Sequence, residues 1–241
     1  MLKDLSVRSE SPEIMDDFHG DINELKPILG DINRVNSILG GNAITLDAVF
    51  QLIHEHPRES YTILDMGCAE GSMLRELALA GRKKLIKLKL IGVDLNEDAL
   101  ELGKRASQDF PEIQFLAKNI LHSDFSDFKC DIIITTLTLH HFPDDSILVF
   151  IKQFSKLASI GIVVNDLQRS TTAYYLFKVF SLIFIKTKVA KTDGLISIRR
   201  GFLKSDFDRY ARTLPNIKHH IQWKWAFRYV WVMRLATNKL P

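Results

Sequence analysis

From Tyr61 to Leu167 the chain alternates between short apolar runs and longer stretches in which polar residues recur. The apolar runs are "YTILDM", "KLKLIGVD", "IQFLA", "CDIIITTL" and "SIGIVVNDL". Runs that are apolar on both faces are typical of buried parallel strands. The stretches between them predict helices that begin near Ser72, Asp98 and Asp144. This alternation predicts an α/β fold with a doubly wound, mostly parallel sheet.

Two similar decapeptides precede this region, "DINELKPILG" at 21–30 and "DINRVNSILG" at 31–40. Each begins with an aspartate that could cap a helix and ends with a glycine that could stop one. We therefore expect two short helices, capped by Asp21 and Asp31, and then a longer helix over about 43–54.

The alternation stops after Leu167. The pattern there predicts an apolar helix over about 171–185, a basic and irregular stretch, and a short helix from Ser205 to about Leu214. The end of the chain, "IKHHIQWKWAFRYVWVMRLA", predicts two strands with a tight connection near Ala226. An antiparallel pair of this kind commonly closes an otherwise parallel sheet.

These elements predict one large domain with an appendage. The chain has 241 residues, 46% of them hydrophobic and 25% charged, which suits a globular domain of the larger kind. We expect an N-terminal helical lid over 1–42 and a ligand-binding domain over 43–241. Within that domain, the segment at about 168–214 is an insertion after the fifth strand that would cover the ligand crevice.

The composition of the chain bears on its cellular compartment and on the metals and nucleic acids that it could bind. The two cysteines, Cys68 and Cys130, are too few for a disulfide framework or a zinc site, and no metal is expected. The N-terminal stretch has no apolar run behind its early lysine, so we expect a cytoplasmic protein without a signal peptide. A net charge of +3 permits nucleic-acid binding but does not argue for it.

The apolar stretch at 173–185 is too short to span a bilayer, which needs roughly 20 apolar residues. Lys178 and the lysines between 186 and 191 are compatible with weak contact with a membrane surface. They are equally compatible with a solvated loop. The oligomeric state is not predicted.

The stretch "ILDMGCAEG", residues 63–71, is a strand that ends in a glycine turn before a helix. Such turns bind phosphates through backbone N–H groups, yet this one carries Asp65 and Glu70. Carboxylates repel a phosphate and attract a cation. S-adenosylmethionine, with its sulfonium and ammonium groups, therefore fits better than a dinucleotide or a turn without a ligand. Asp94, at the tip of the next strand, is placed to bind ribose hydroxyls.

Four segments together resemble the motifs of class I S-adenosylmethionine-dependent methyltransferases. They are "ILDMGCAEG", "GVDLN", "AKNI" and "CDIIITTLTLHHFPD", and the resemblance covers about residues 43–167. It implies a Rossmann-like fold, S-adenosyl-L-methionine as cofactor, and a set of cofactor-binding residues. These are Asp65, Gly67, Cys68, Ala69, Gly71, Asp94, Leu95, Asn119, Ile120 and Leu137.

Two positions depart from that family's pattern. Ala69 stands where the middle glycine usually is, so we expect its backbone to keep a negative φ and cofactor binding to be weaker. Asn119 stands where many relatives have aspartate. Its amide oxygen can still accept from the adenine amino group, or the side chain can simply cap its loop.

Two histidines follow the fourth strand in "TTLTLHHFPDD". The Asn/Asp-Pro-Pro-aromatic sequence of enzymes that methylate exocyclic base amines is absent there. A histidine at this position could take the acceptor's proton, or it could order the loop. His140 is the better candidate base, because His141 aligns with a histidine that many relatives keep for structure.

Two further stretches, "VRSESPEIMDD" and "NDLQRSTTAYYLF…TDGLISIRRGF", resemble a small bacterial methyltransferase group associated with type III polyketide synthases. That group is distantly related to ubiquinone- and menaquinone-biosynthesis methyltransferases. The resemblance implies a role in secondary metabolism and O-methylation of a phenolic or quinol-like small molecule. It also suggests that Arg199 and Arg200 hold or steer a phenolate, Arg199 as a substrate contact and Arg200 with a catalytic contribution. Tyr174 and Tyr175 are expected to contact the substrate because their apolar helix follows the fifth strand and would lie over the crevice. Lid or lining positions are expected at Arg8, Asp16, Asp17, Arg34 and Asn36.

Two other classes of function stay open. One is an RNA or protein methyltransferase that uses the basic, aromatic end "WKWAFRYVWVMR" as a binding face, although strand alternation explains that end more simply. Nucleic acid is therefore not the expected partner. The other is a cofactor-binding protein without catalysis, which only Ala69 favours.

Overall fold

The computed structural model describes residues 5–18, 20–121, 123, 125 and 128–235. Its centre is a seven-stranded sheet with the order β3-β2-β1-β4-β5-β7-β6. The strands are β1 Ser60–Met66, β2 Lys87–Asp94, β3 Ile113–Ala117, β4 Cys130–Thr136, β5 Ala158–Leu167, β6 Lys218–Lys224 and β7 Arg228–Arg234. Strands β1 to β5 pair in parallel, and β7 is antiparallel to both β5 and β6. The predicted parallel sheet with a closing hairpin is confirmed.

Eight α-helices surround this sheet in the described part of the chain. They are α1 Ile22–Ile38, α2 Gly41–Glu55, α3 Ser72–Lys83, α4 Glu97–Ala106, α5 Asp144–Leu157, α6 Thr171–Phe184, α7 Lys188–Arg200 and α8 Lys204–Ala211. Helices α6, α7 and α8 all lie between β5 and β6 in the sequence, where a helical insertion was predicted.

Both faces of the sheet are covered by hydrophobic packing, as the apolar strand sequences require. Along β4, Ile133 packs with Phe150 of α5 on one face. Its neighbour Ile132 packs with Leu52 of α2 and Leu74 of α3 on the other face. Successive residues of a strand point to opposite faces, so the two cores share the same strands. This arrangement is the predicted doubly wound sheet.

The prediction of two short N-terminal helices is wrong. One helix, α1, runs through both decapeptides and passes Gly30 without a break. Asp21 does cap it, through bonds from the backbone N–H groups of Asn23 and Glu24. Asp31 is buried within the helix, and its carboxylate accepts from the N–H groups of Lys186 and Thr187 at 2.9 and 2.7 Å. A tertiary contact therefore uses the residue that looked like a local cap.

The basic stretch after α6 was expected to be irregular and is instead mostly helix α7. Arg199 and Arg200 occupy its last turn, where positive charge complements the helix dipole. Asp193, buried in α7, accepts from the N–H groups of Ile14 and Met15 at 2.8 and 3.0 Å. These bonds tie α7 to residues 5–17, which we call the strap.

None of the helices in the described residues is both long and apolar enough to cross a bilayer. Helix α6 nevertheless exposes several apolar side chains, among them Val179 at 63% and Ile183 at 73% exposure. Weak contact with a membrane surface stays a prediction.

Candidate active site

A cavity of about 1160 Å³ opens at the carboxyl ends of β1, β2, β4 and β5. The strap, α1, α6, α7 and the turn between β6 and β7 form its other walls. The strand order changes direction between β1 and β4, and ligands of open α/β sheets bind at such a point. Typical pockets for a single small ligand measure about 300–1,000 Å³, so this cavity has room for a cofactor and a second molecule.

The turn after β1 adopts left-handed backbone angles at three positions. Gly67 and Gly71 have φ of 81° and 72°, and Ala69 has φ of 46°. At Gly67 glycine is also needed for space, because a Cβ there would lie 2.3 Å from Cγ2 of Thr138. The expectation of a negative φ at Ala69 is therefore wrong. Its N–H donates to Oδ2 of Asp94 at 2.7 Å, and this bond helps to hold the turn in place.

Replacing Ala69 by glycine is expected to change the free energy of unfolding by less than about 1 kcal/mol. The left-handed backbone costs an alanine about 1–2 kcal/mol, and glycine removes that cost. Glycine also adds freedom to the unfolded chain, worth about 0.4–1 kcal/mol, and loses the methyl contact with the Leu25–Leu29–Ala99 cluster. Urea unfolding of both forms measures the balance. Cofactor binding more than tenfold weaker in the glycine form would show that the methyl group packs against the cofactor.

Asp65 is the most unusual group of the cavity wall. Its side chain is 2% exposed, and Oδ1 has no hydrogen-bond partner in the described structure. Burial, and then the nearby charge of Asp94, raise the pKa of Asp65 to about 8. A buried carboxyl that lacks a partner is unfavourable unless a donor or a cation completes it. The sulfonium and ammonium groups of S-adenosylmethionine would do so, and the residues present therefore fit this cofactor.

Asp94 ends β2 beside the same cavity. Its carboxylate accepts from the N–H groups of Ala69 at 2.7 Å and Asn96 at 2.9 Å. A carboxylate has about four acceptor positions, so two stay available for ribose hydroxyls. The backbone bonds fix the carboxylate in position before a ligand arrives.

Most of the predicted cofactor-binding residues line this one cavity. Besides Asp65 and Asp94 they are Gly67, Cys68, Ala69, Leu95, Asn119, Ile120 and Leu137. Gly71 does not line it, because it lies at the start of α3, where a Cβ would meet the Phe115 ring at 2.6 Å. Asn119 caps its own loop, since its Oδ1 accepts from the N–H of Leu121 at 2.8 Å.

His140 lies across the cavity in a short 3-10 turn after β4. It is 3% exposed, and its Nδ1 is 2.7 Å from Oδ1 of Asp166 near the end of β5. Its Nε2 is 3.4 Å from Oε1 of Glu13 in the strap. Burial alone would lower the pKa of His140, but the carboxylates of Asp166 and Glu13 outweigh it and raise the pKa to about 9. His140 is therefore an imidazolium at neutral pH.

His141 is held from the strap as well, with Nδ1 2.5 Å from Oδ1 of Asp16. The sequence predicted no metal, yet ligand atoms of Glu13, His140 and His141 lie within 4.8 Å of one another. The positive charge of His140 balances Glu13. Contacts of Glu13 and Asp16 with the two histidines thus join the strap to the turn that contains His140 and His141.

Arg200 lies behind the histidines and is not one of the residues that line the cavity. Its guanidinium donates to the carbonyls of His140 at 3.0 Å and His141 at 2.5 Å, and to Asp16 at 2.5 Å. Arg8 donates to the carbonyl of His140 at 2.9 Å, beside the same turn. The resemblance suggested that Arg200 contacts the acceptor directly. Its placement does not support that role, because these bonds occupy its N–H donors. Arg200 positions the histidine turn.

The predicted substrate residues Tyr174, Tyr175 and Arg199 do not line the cavity. The reason lies in the phase of α6, since residues three, four and seven apart share one face of a helix. The face toward the cavity contains Ala173, Leu176, Phe177 and Phe180. The tyrosines fall outside this face, and the carbonyl of Arg199 accepts from the N–H of Ser9.

The expected lid residues divide in the same way. Asp16, Asp17 and Asn36 line the cavity, whereas Arg8 and Arg34 do not. Arg34 forms an ion pair with Asp31 at 3.6 Å, one turn away on α1.

Sequence reasoning missed three residues of this site, which are Glu13, Asp166 and Arg228. Asp166 had a signal, because a charged residue near the carboxyl end of an apolar strand is unusual. The sequence carried no signal for Glu13, since this residue contacts His140 from a distant part of the chain. Arg228 had none either, because an arginine at the start of a strand is ordinarily solvated.

The fold and the arrangement of the cavity are typical of class I methyltransferases. The glycine turn after β1, the aspartate at the end of β2 and the sheet closed by an antiparallel hairpin all occur in this chain. Residues 63–161 match a family model described as a methyltransferase domain, which extends from β1 into β5. The predicted membership of the S-adenosylmethionine-dependent class I family is confirmed for this domain.

Two curated proteins are similar to part of the chain. YxjB of Bacillus subtilis (strain 168), named as a 23S rRNA (guanine-N(1)-)-methyltransferase, is 33% identical over 93 residues, or 37% of this chain and 31% of the relative. A demethylmenaquinone methyltransferase of Staphylococcus saprophyticus is 28% identical over 111 residues, or 41% of this chain and 47% of the relative. The matches thus span less than half the length of each relative.

Solved structures share the fold over most of the chain. The plantazolicin methyltransferase BpumL, in complex with SAH and a triazolic desmethyl analog, aligns with a TM-score of 0.67 and 14% identity, covering 90% of this chain and 92% of that one. Magnesium protoporphyrin IX methyltransferase ChlM from Synechocystis PCC 6803, with bound SAM, aligns with a TM-score of 0.55 and 14% identity, covering 91% and 100%. At this identity the likeness shows the fold.

Proposed function

We propose that the protein transfers a methyl group from S-adenosylmethionine to the hydroxyl group of a small, largely apolar acceptor of phenolic or quinol-like type. One observation carries this proposal. A single cavity is lined by Asp65, whose Oδ1 has no hydrogen-bond partner in the described structure, by Asp94, and by His140, which is backed by Asp166. The name of one curated relative, a demethylmenaquinone methyltransferase, supports an apolar acceptor of this kind.

The two acids would hold the cofactor, which supplies an electrophilic methyl group when bound. Asp65 compensates positive charge at the buried end, and Asp94 binds the ribose hydroxyls. Leu176, Phe177 and Phe180 form the apolar wall that would hold an aromatic ring and exclude water. Methyl transfer needs little more than alignment in such a site.

His140 would take the proton of the acceptor's hydroxyl on Nε2. The ring must first lose its own proton to solvent, because its pKa is about 9. Asp166 then stabilises the imidazolium that forms when the hydroxyl proton arrives, and the oxygen becomes the nucleophile. His141 and Arg200 keep the turn in place. This proton path favours O-methylation over C-methylation.

The strap and α1 would serve as the lid. Glu13, Asp16 and Asp17 line the cavity on the strap side, and Asn33 and Asn36 line it on the side of α1. A lid that carries charged partners of the histidines couples closure of the cavity to assembly of the catalytic groups.

Methyl transfer from labelled S-adenosylmethionine to a panel of alkylresorcinols, catechols and quinols tests the proposal. We expect a phenol to be methylated and its product to be an aryl methyl ether by mass spectrometry. Asp94→Ala is the control, since it should bind the cofactor about 10- to 100-fold more weakly through loss of charge-assisted hydrogen bonds. Transfer to none of the phenols would contradict the acceptor class, and no turnover on any acceptor would favour a binding protein.

An RNA methyltransferase is the second candidate, because one curated relative is named for 23S rRNA. Bulk RNA therefore belongs in the same assay as a competing acceptor. The aromatic end offers this candidate less surface than its sequence suggests, because Trp231 is fully buried in β7. Methylation of RNA without methylation of any phenol would establish this alternative.

A further inference from the structure

Arg228, the first residue of β7, is a buried cation. Most of its guanidinium N–H donors have no hydrogen-bond partner in the described structure. It is 2% exposed and lines the cavity, and its Nε and Nη1 have no partner in the described structure. Asp166 acts on it electrostatically, but the Asp166 carboxylate already bonds the His140 ring and the N–H of Leu167. Leaving a buried charge unpaired is costly, so such a group indicates a ligand of opposite charge.

The N-terminus of α2 meets Arg228 at the same place. The helix begins at Gly41 after the N-cap Gly40, which has no side chain to cap it. A Cβ at Gly41 would lie 2.8 Å from Cζ and 2.9 Å from Nη2 of Arg228, so the guanidinium rests against the first helical residue. Helix N-termini carry partial positive charge and free N–H groups.

The unpaired acceptors recorded beside Gly41, within the described residues, are the neutral amide oxygens of Asn36 and Asn165, which cannot balance two positive groups. Arg228 lines the cavity, and the helix end that it contacts adds positive potential of the same sign, which favours an anion there.

We propose that Arg228, which packs against the first turn of α2, binds a carboxylate of the acceptor. This inference rests on the proposed function and narrows its substrate class. The acceptor would be an aromatic ring that carries an acidic group as well as the hydroxyl that is methylated.

The position of Arg228 favours the acceptor over the cofactor's own carboxylate. In the sheet order, β7 lies three strands from β1, which carries Asp65. With neighbouring strands about 4.8 Å apart, that is roughly 14 Å across the sheet. Trp225, Ala226 and Phe227 line the cavity next to Arg228, and the His140 partner Asp166 lies on the adjacent strand β5. Arg228 thus belongs to the histidine end of the cavity.

The proposal predicts a preference that can be measured with matched acceptors. The probes are hydroxybenzoates and the corresponding phenols with the same alkyl chain. We expect kcat/KM to be about 10- to 100-fold higher for the acid of each pair, the usual range for charge-assisted hydrogen bonds. Arg228→Gln should remove this preference, mainly by raising KM for the acid. Arg228→Lys should restore part of it.

The control for general effects on β7 is Arg234→Gln, which removes an ion pair with Glu55 at the far end of the same strand. That variant should keep the preference for the acid. Thermal unfolding should show Arg228→Gln to be folded, because glutamine removes a buried charge. Calorimetry should give the same cofactor affinity for Arg228→Gln and the unchanged protein, within about twofold.

Binding of an alkylated hydroxybenzoate in the presence of S-adenosylhomocysteine, measured by calorimetry, separates this inference from the proposed function. Tight binding that Arg228→Gln abolishes would support the anion site even if none of the probes is methylated. Equal use and equal binding of acid and phenol by the unchanged protein would overturn it. Cofactor binding at least tenfold weaker in Arg228→Gln, with the acid preference intact, would also overturn it by assigning Arg228 to the cofactor's carboxylate.

Discussion

Replacing Asp65 by asparagine is expected to abolish the proton that the protein releases when its cofactor binds. In the free protein the pKa of Asp65 is about 8, so this carboxyl is mostly protonated at pH 7. A sulfonium and an ammonium group placed beside it favour the charged form. Binding at pH 7 should therefore release close to one proton, and affinity should rise by up to about tenfold per pH unit below pH 8.

Calorimetry in buffers of different ionisation enthalpy measures the released proton directly. Asp65→Asn should release none, lose the pH dependence, and bind about 10- to 100-fold more weakly at pH 9, where Asp65 of the unchanged protein is mostly ionised. Asp47→Asn, an exposed aspartate on α2, is the matched control. Proton release of the same size in Asp65→Asn would assign the linkage to another group.

The same substitution should stabilise the protein without ligand. The folded pKa of Asp65 lies above its unfolded value of about 3.9, so its contribution to stability is fully present below that value. That contribution is lost as the pH rises from about 4 through about 8, because the unfolded chain releases this proton whereas the folded protein keeps it. The melting temperature of Asp65→Asn should exceed that of the unchanged protein most clearly at pH 8–9. The buried carboxyl that would bind a cation thus destabilises the protein when no cation is bound.

Replacing His140 by alanine is expected to lower turnover about 100-fold while cofactor affinity stays nearly constant. Turnover of the unchanged protein should rise with pH and level off near pH 9, where His140 loses its proton. In the variant the rate should keep rising as the acceptor, with a phenol pKa of about 10, ionises by itself. The deficit should therefore be constant below pH 9 and narrow above it.

Asp166→Asn distinguishes a role of His140 as general base from a merely structural role. Asparagine can keep the bond to the His140 ring but removes the charge that holds its pKa high. The break in the pH–rate profile should move from about 9 toward neutrality, by about one unit or more. His54→Ala, an exposed histidine on α2, controls for general effects. Unchanged turnover in His140→Ala would leave alignment and exclusion of water as the whole mechanism.

The sheet, and the gathering of Asp65, Asp94 and the glycine turn at one cavity, were predictable because their signals are local. Apolar strands, a glycine turn and the position of Asp94 each need only a few consecutive residues. The conformation of Ala69 was not predictable in this way, since a tertiary bond to Asp94 holds it at positive φ.

The histidine end depends on contacts between distant segments, which single-sequence patterns do not record. Glu13 and Asp16 come from the strap, Asp166 from β5 and Arg200 from α7. The single helix α1 was not predicted for the same reason. The carboxylate of Asp31 accepts hydrogen bonds from the segment before α7 and does not cap a helix of its own. Tertiary use of a capping residue overrides its local meaning.

The hydrogen bonds of Arg8 join distant segments of the chain, so they form only after the later segment has been synthesised. Its Nε donates to the carbonyl of Arg200, a residue 192 positions later in the chain. At a synthesis rate of about 5–20 residues per second, the strap would wait roughly 10–40 seconds for this partner. During that interval Glu13 and Asp16 leave the ribosome long before the histidines and α7 that they meet. A chain arrested before α7 could therefore pair its first five strands, whereas the strap can form its bonds to α7 only after that helix has been synthesised.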